Sequence, residues 1–296
     1  MKKRIFQGAG IAILTPMHSD GTINWEAFGR LIDWQLENST DALIVCGTTG
    51  ESPTLSTEEK VSLFRFAVER VNGRVPVIAG TGSNDTKKAV ELSKEAKQAG
   101  ADGLLLVTPY YNKTSQRGLA AHYNAIADAV DLPQIVYHIP SRTGVTIAPK
   151  TFRELSKHPN IVAVKEASGN FAAIAQTRYL CGDDLDFYSG EDGQIVPLLS
   201  LGGIGVISVL SHVAPKAVHD ICSLFFEGKV QESAALQLAY MDLIQALFLD
   251  VNPIPVKEAV NLMGFEAGPC RMPLCPMSGE DRAVLVAALK NHGIIS

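Results

Sequence analysis

Ile161-Val162-Ala163-Val164-Lys165-Glu166-Ala167-Ser168-Gly169 is the stretch on which the fold turns. A short apolar, β-rich run leading into turn chemistry reads as a strand buried on both faces, as in a parallel sheet. This one ends on a lysine, whose ammonium strongly prefers water. A strand-end lysine that snorkels outward to an ion pair is the plain reading. The chemical reading is a desolvated amine, neutral and nucleophilic, able to form a Schiff base with a carbonyl substrate. An unperturbed lysine near pKa 10.4 is neutral at pH 7 in roughly one molecule in 2,500, so its surroundings would have to supply the difference.

Working outward from this run, similar ones recur about every 20–35 residues: Ile11–Leu14, Ala42–Cys46, Val75–Ala79, Gly103–Val107, Gln134–His138, Leu185–Tyr188 and Gly205–Ser208. Helical patterns fill the gaps. Trp25, Phe28, Leu31, Ile32 and Leu36 share one helical face, and Ser56 with Glu59 forms a capping-box signature. Asn84 or Asp85 suits the next N-cap, and Pro149 and Pro215 suit first-turn positions. Eight β/α units in this order predict an α/β fold, a (β/α)8 TIM barrel, rather than an open doubly wound sheet. The remainder reads as mostly helical, with Ala234–Leu249 and Asp281–Lys290 clearest. We expect a barrel catalytic domain over residues 1–227 and a C-terminal helical extension over residues 228–296.

In a barrel of this class the active site lies where the strands end. The residues after each run are Thr15-Pro16, Gly47-Thr48-Thr49-Gly50-Glu51, Gly80-Thr81-Gly82, Thr108-Pro109-Tyr110-Tyr111, Tyr137 through Arg142, Lys165-Glu166, Ser189-Gly190-Glu191 and Ser208. One rim thus gathers hydroxyls, flexible glycines, tyrosines, an arginine and the lysine, which suggests a small anionic substrate bearing a carbonyl. Each member has a plainer reading. Gly47–Gly50 is either a tight turn or a carboxylate cradle of hydroxyls and backbone N–H groups. Tyr137 is either a satisfied core phenol or a proton donor and acceptor near an imine. Arg142 is either a surface ion pair or a bidentate carboxylate clamp. Tyr110 and Tyr111 either line a loop or serve the site, and Glu51 and Glu166 suit ion pairing as well as catalysis.

Other function classes find little support. The net charge of −5 is mild and mixed, which argues against a nucleic-acid surface. No apolar stretch approaches the roughly 20 residues that span a bilayer, and the basic start lacks a cleavage-site pattern. We expect a cytoplasmic protein with no membrane partner. Cys46, Cys181, Cys222, Cys270 and Cys275 form no C-x-x-C pair and suit a reducing compartment. Cys46 at a strand end is either a thiol nucleophile or a small buried apolar residue. The histidines are scattered, with His212 and His219 two turns apart on an expected helix surface, so no metal site is expected. There is no dinucleotide fingerprint, P-loop or nucleophile elbow.

Taken with these residues, the chain resembles the dihydrodipicolinate synthase family, within the pyruvate-dependent class I aldolases, over essentially its full length. The resemblance is carried by Gly47-Thr48-Thr49-Gly50-Glu51, Tyr137-His138-Ile139-Pro140-Ser141-Arg142-Thr143-Gly144 and Val164-Lys165-Glu166-Ala167. Thr108-Pro109-Tyr110-Tyr111-Asn112, Gly205-Val206-Ile207-Ser208-Val209 and Asn252-Pro253-Ile254-Pro255-Val256-Lys257 support it. It implies that Lys165 forms an imine with pyruvate without any cofactor. The enamine then attacks L-aspartate 4-semialdehyde, giving 4-hydroxy-tetrahydrodipicolinate in lysine and diaminopimelate biosynthesis. It further implies Thr48, Tyr137 and Tyr111 as a proton relay, Tyr111 reaching a neighbouring subunit's site in a homodimer unit assembled as a homotetramer. Thr49 is implied to hold the pyruvate carboxylate and Arg142 the semialdehyde carboxylate, with Gly190 and the Ile207 carbonyl lining the pocket.

Two departures stand out. His138 replaces the usual asparagine after Tyr137, with its side chain expected to face away from the pocket. In the lysine-feedback site Ser52, Asn84 and Tyr110 match, but Thr57 and Lys60 stand where histidines are common, and Lys88 stands where an acidic residue would meet the effector's ammonium. Weak or absent inhibition by lysine is expected. Glu166 is expected to point away from Lys165, because a facing carboxylate would hold the amine charged. The rival readings are another pyruvate-dependent enzyme, such as N-acetylneuraminate lyase or a keto-sugar-acid aldolase, and a non-catalytic barrel, which would be expected to lack Lys165 or Tyr137.

Overall fold

A computed structural model describes residue 2 and residues 4–296. Eight parallel strands follow one another around a closed barrel: β1 (Gly8–Ala12), β2 (Ala42–Val45), β3 (Val77–Gly80), β4 (Gly103–Val107), β5 (Gln134–His138), β6 (Ile161–Glu166), β7 (Asp186–Ser189) and β8 (Gly205–Ser208). Helices α1 (Trp25–Glu37), α2 (Thr57–Val71), α3 (Thr86–Gln98), α4 (Gln116–Ala129), the single turn α5 (Pro140–Thr143), α6 (Pro149–Leu155), α7 (Phe171–Cys181), α8 (Ile195–Ser200) and α9 (Pro215–Phe226) connect and surround them. This is the (β/α)8 barrel the eight runs imply. Local chemistry sets several helix starts. Ser56 N donates to Glu59 Oε2 (2.8 Å) while Glu59 N donates to Ser56 Oγ (3.2 Å), a reciprocal cap on α2. Asp85, not Asn84, caps α3, accepting from Lys87 N and Lys88 N.

Along the strands, side chains alternate between the barrel interior and the helical shell, except at the start of β6, where a register irregularity against β5 leaves Val162 and Ala163 both in the interior cluster. Ala12, Ile44, Ile78, Leu105, Ile135, Ala163 and Ile207 fill the interior. Leu43, Val45, Ala79, Leu104, Val136, Val164 and Phe187 face outward, where the shell includes Phe28, Phe64, Tyr123 and Phe152. At the end where the strands start, Phe6 stacks on Tyr188 (centroids 4.2 Å apart), whose hydroxyl donates to the Phe6 carbonyl at 2.7 Å. The other end stays open for polar residues.

The first strand lies earlier than its apolar run suggests. Gly8–Ala12 pairs with both neighbours, while Ile13 and Leu14 fall in the connection that follows. A hydrophobic pattern overlooks a glycine-rich strand, yet the β1–β8 seam requires one. A Cβ on Gly205 would lie 2.1 Å from the Gly8 carbonyl oxygen.

After α9 come α10 (Val230–Ala239), α11 (Met241–Ala246), α12 (Ile254–Leu262) and α13 (Gly279–Asn291). The single helix expected over Ala234–Leu249 is broken at Tyr240 into α10 and α11. The break stacks the Tyr240 ring on His292 (4.6 Å) and lets Leu243 and Leu247 enter an apolar cluster with Val218, Ile221, Leu285 and Leu289. That cluster includes Val206 of β8, so the extension shares its core with the barrel. His212 is also a correction. It lies in the turn after β8 and is fully buried, not on a helix surface; its Nε2 accepts from Leu14 N (3.0 Å) and its Nδ1 donates to the Val209 carbonyl (2.8 Å). Burial pushes its pKa down to about 4. Among the described residues, no helix is long and apolar enough to cross a membrane.

The seam leads to a stability prediction. Gly205→Ala forces the β1 and β8 backbones apart and is expected to cost about 3 kcal/mol. Thermal unfolding checks this, and an unchanged melting temperature would contradict the close packing described.

Candidate active site

Neighbouring strands β5 and β6 set the centre of the site. In their register Tyr137 lies beside Lys165 and His138 beside Glu166. Strand alternation then turns the first pair inward and the second outward. The Lys165 side chain is only 5% exposed, with its Nζ 4.3 Å from the centroid of the Tyr137 ring. On the outer face, His138 Nδ1 contacts the Glu166 carboxylate at 2.9 and 3.1 Å, and His138 Nε2 accepts from Ile147 N at 3.2 Å. Glu166 also accepts from Ser168 N at 2.7 Å. Both side chains therefore face away from the pocket, and no carboxylate among the described residues is bonded to the Lys165 amine.

Burial pulls the Lys165 pKa down to about 8; Glu191 and Asp192 pull against it, and the Arg142 guanidinium assists. An amine at that value is about half neutral at pH 8. Burial raises the Tyr137 phenol to about 12, so it stays protonated, while Arg142 and the Thr48 hydroxyl restrain the rise. Gly190 follows β7 and leaves room for the lysine stem. A Cβ there would lie 3.2 Å from Lys165 Cε and 2.7 Å from Ala167 Cβ. Ile207, on β8, is fully buried in the interior, at the register of Gly10.

Other candidates approach from loops. Thr48 and Thr49 lie in the turn after β2, and Thr49 Oγ1 accepts from Asn252 Nδ2 at 3.0 Å. Arg142, on α5, donates through Nη2 to the Asn252 carbonyl at 3.2 Å. Thr48, Tyr137, Arg142 and Tyr110 line a cavity of about 1010 Å³ that extends between α2 and α3 past Lys60 and Lys88. Tyr111 does not join them. Its backbone takes the left-handed conformation (φ 65°), and its side chain is 91% exposed.

Periodicity missed several participants. Asn252 read only as part of the Asn252–Lys257 motif, with no role of its own, yet it touches both the Thr49 hydroxyl and the Arg142 guanidinium. Glu51 has a buried partner, Lys257, at 2.6 Å. Asp192 accepts from Val209 N (3.0 Å) and Leu210 N (2.9 Å), fastening the end of β7 to the end of β8. These contacts join residues far apart in sequence, and only motif similarity marks them beforehand. Cys46 proves to be fully buried with its thiol pKa pushed up, which suits packing rather than nucleophilic attack. Among the described residues, no cluster of three or more His, Cys, Asp or Glu side chains is placed to hold a metal.

A parallel barrel that keeps a desolvated amine against a phenol at its strand ends defines the class of carbonyl-handling, lysine-based barrels. Residues 5–292 match the dihydrodipicolinate synthetase family, and the chain belongs to it. The 4-hydroxy-tetrahydrodipicolinate synthase of Caldicellulosiruptor saccharolyticus is 55% identical over 290 residues, covering 98% of both chains. Among solved structures, the dihydrodipicolinate synthase of Acinetobacter baumannii, chloride inhibited and complexed with pyruvate, superposes with a TM-score of 0.96 at 42% identity; the match covers 99% of this chain and 100% of that one. The enzyme of Cyanidioschyzon merolae, solved with lysine bound, gives the same TM-score, identity and coverage.

Two predictions follow from the geometry of Lys165. Activity that depends on its neutral amine should climb about tenfold per pH unit below about 8 and level off above it, as a pH profile of kcat/KM for a carbonyl substrate would record. Gly190→Ala displaces the lysine stem and should lower kcat by about a hundredfold while the protein stays folded.

Proposed function

We infer that the chain has 4-hydroxy-tetrahydrodipicolinate synthase activity, condensing pyruvate with L-aspartate 4-semialdehyde through an imine on Lys165. The observation that carries this reading is the uncompensated, desolvated Lys165 amine beside Tyr137, in a chain of this family. The neutral amine adds to the pyruvate ketone, and the resulting carbinolamine loses water to form the imine. Loss of a methyl proton gives an enamine, whose carbon attacks the aldehyde of the second substrate. The amino group of that substrate then displaces Lys165, closing the ring and freeing the lysine. The imine itself serves as electron sink, so the reaction calls for no cofactor or metal.

Tyr137, protonated and next to the amine, is suited to carry protons to and from the carbinolamine oxygen, with Thr48 beside it as the next member of a relay. Thr49 and the backbone of its turn suit the pyruvate carboxylate. Arg142, at the cavity wall, suits the carboxylate of the semialdehyde. Gly190 and the Ile207 carbonyl complete the lining. The exposure of Tyr111 supports a role in another subunit's site, hence a homodimer unit, assembled as a tetramer. The naming of the curated relatives favours aspartate semialdehyde as acceptor over N-acetylmannosamine. Thr57, Lys60 and Lys88 line the cavity together with Glu58, Glu91 and Glu95; what supports weak inhibition by L-lysine is Lys88, an amine at the position where an acidic residue would meet the effector's ammonium.

Incubation with pyruvate followed by borohydride reduction and peptide mapping tests the mechanism. The adduct is expected on Lys165 alone, and an adduct elsewhere, or none, overturns the reading. L-Lysine added to the coupled assay is expected to leave the rate unchanged at sub-millimolar concentration; clear inhibition there would refute the effector argument.

A further inference from the structure

We propose that Glu51, Lys257 and Asn252 are positioning residues through which the C-terminal helices hold the Thr48–Thr49 turn in its substrate-receiving place. This rests on the role given above to Thr49 as the holder of the pyruvate carboxylate.

Glu51 closes that turn. Its backbone has φ 57°, its N–H donates to the Thr48 carbonyl at 3.1 Å, and its own carbonyl accepts from Thr54 N at 3.0 Å. Both carboxylate oxygens are engaged from the C-terminal segment: Oε1 by Lys257 Nζ at 2.6 Å and Oε2 by Arg271 N at 2.8 Å. With both oxygens held, the carboxylate has a single orientation. The two side chains of the ion pair are each 2% exposed. Replacing a buried pair by well-packed apolar residues is often neutral or stabilising, so stability alone is a weak reason for its presence. What the pair supplies is a fixed location for the end of the turn, because displacing either charge leaves the other uncompensated in the interior.

Asn252 acts one step closer to the substrate. Its amide N–H occupies a lone pair of Thr49 Oγ1, which leaves the hydroxyl proton free to be donated onward, as a carboxylate oxygen requires. Its main-chain carbonyl, which a side-chain replacement leaves in place, meanwhile accepts from Arg142 Nη2. Its Oδ1 is buried without a partner, so an isosteric apolar replacement gives up little stability at that atom. Thr49, Arg142 and the end of the turn therefore share one support, the segment from Asn252 to Lys257.

Steady-state kinetics with pyruvate, thermal unfolding and borohydride trapping on the full chain test this. Glu51→Gln and Lys257→Met are expected to raise KM for pyruvate about tenfold, with the trapped adduct still on Lys165 at saturating pyruvate. Lys257→Arg keeps the pair and is expected to hold KM near the wild-type value. Asn252→Leu is expected to raise KM about tenfold while melting at the wild-type temperature, which a purely structural role would not produce. Charge variants that melt lower but keep the wild-type KM overturn the proposal, as does a wild-type KM in Asn252→Leu. If the charge variants do not fold, Asn252→Leu alone decides. A wild-type chain that traps no adduct at all overturns the imine reading, and this proposal with it.

Discussion

Keeping the Lys165 amine out of water, with no carboxylate among the described residues bonded to it, removes much of what normally stabilises its charged form. The surrounding structure follows from that constraint. Tyr137 lies where its ring, not an anion, meets the ammonium, so the charge is eased without being pinned. Glu166, the chain neighbour best placed to neutralise it, is turned to the outer face and engaged by His138. Gly190 gives way to the lysine stem, and Asp192, whose field reaches the amine, spends one carboxylate oxygen on two backbone N–H groups. Each neighbour contributes space or partial charge, and none completes an ion pair.

A second buried lysine makes the contrast clear. Lys257 is as hidden as Lys165, yet it sits 2.6 Å from Glu51. The same residue type is held in two electrostatic conditions within one molecule: one amine matched by a bonded carboxylate, the other left against the Tyr137 ring. A matched charge makes a fixed point, whereas an unmatched one makes a nucleophile. The barrel carries the unmatched amine, and the C-terminal extension contributes the matched one, whose pairing with Glu51 ties the extension to the turn after β2.

Much of this was legible in the chain itself. Runs such as Gly103–Val107, Gln134–His138 and Gly205–Ser208 coincide with observed strands because buried parallel strands are continuously apolar. The strand ends pointed to Lys165, Tyr137 and the Thr48–Thr49 turn because a closed parallel barrel collects those ends on one rim. What stayed hidden depended on contacts between distant segments. Nothing local marks Asn252 as a neighbour of Thr49, or Lys257 as the partner of Glu51. The first strand was misplaced because glycines that permit close backbone approach carry no apolar signal. His212 was misread because the turn that buries it has no periodicity to recognise.

The pairing of β5 with β6 also bears on how such a chain tolerates change. Tyr137 and Lys165 share a face because they are register partners beyond the irregularity at Gln134/Ile135, where β6 carries one residue more than β5. Removing or inserting a single residue in the regularly paired stretch before Lys165 would exchange it for a neighbour of opposite parity, bringing the Glu166 carboxylate inward and sending the amine into the helical shell. A two-residue change would keep the faces while shifting the height of the amine along the barrel. The connections between strands carry no such constraint, so a change of length there leaves the amine on its face.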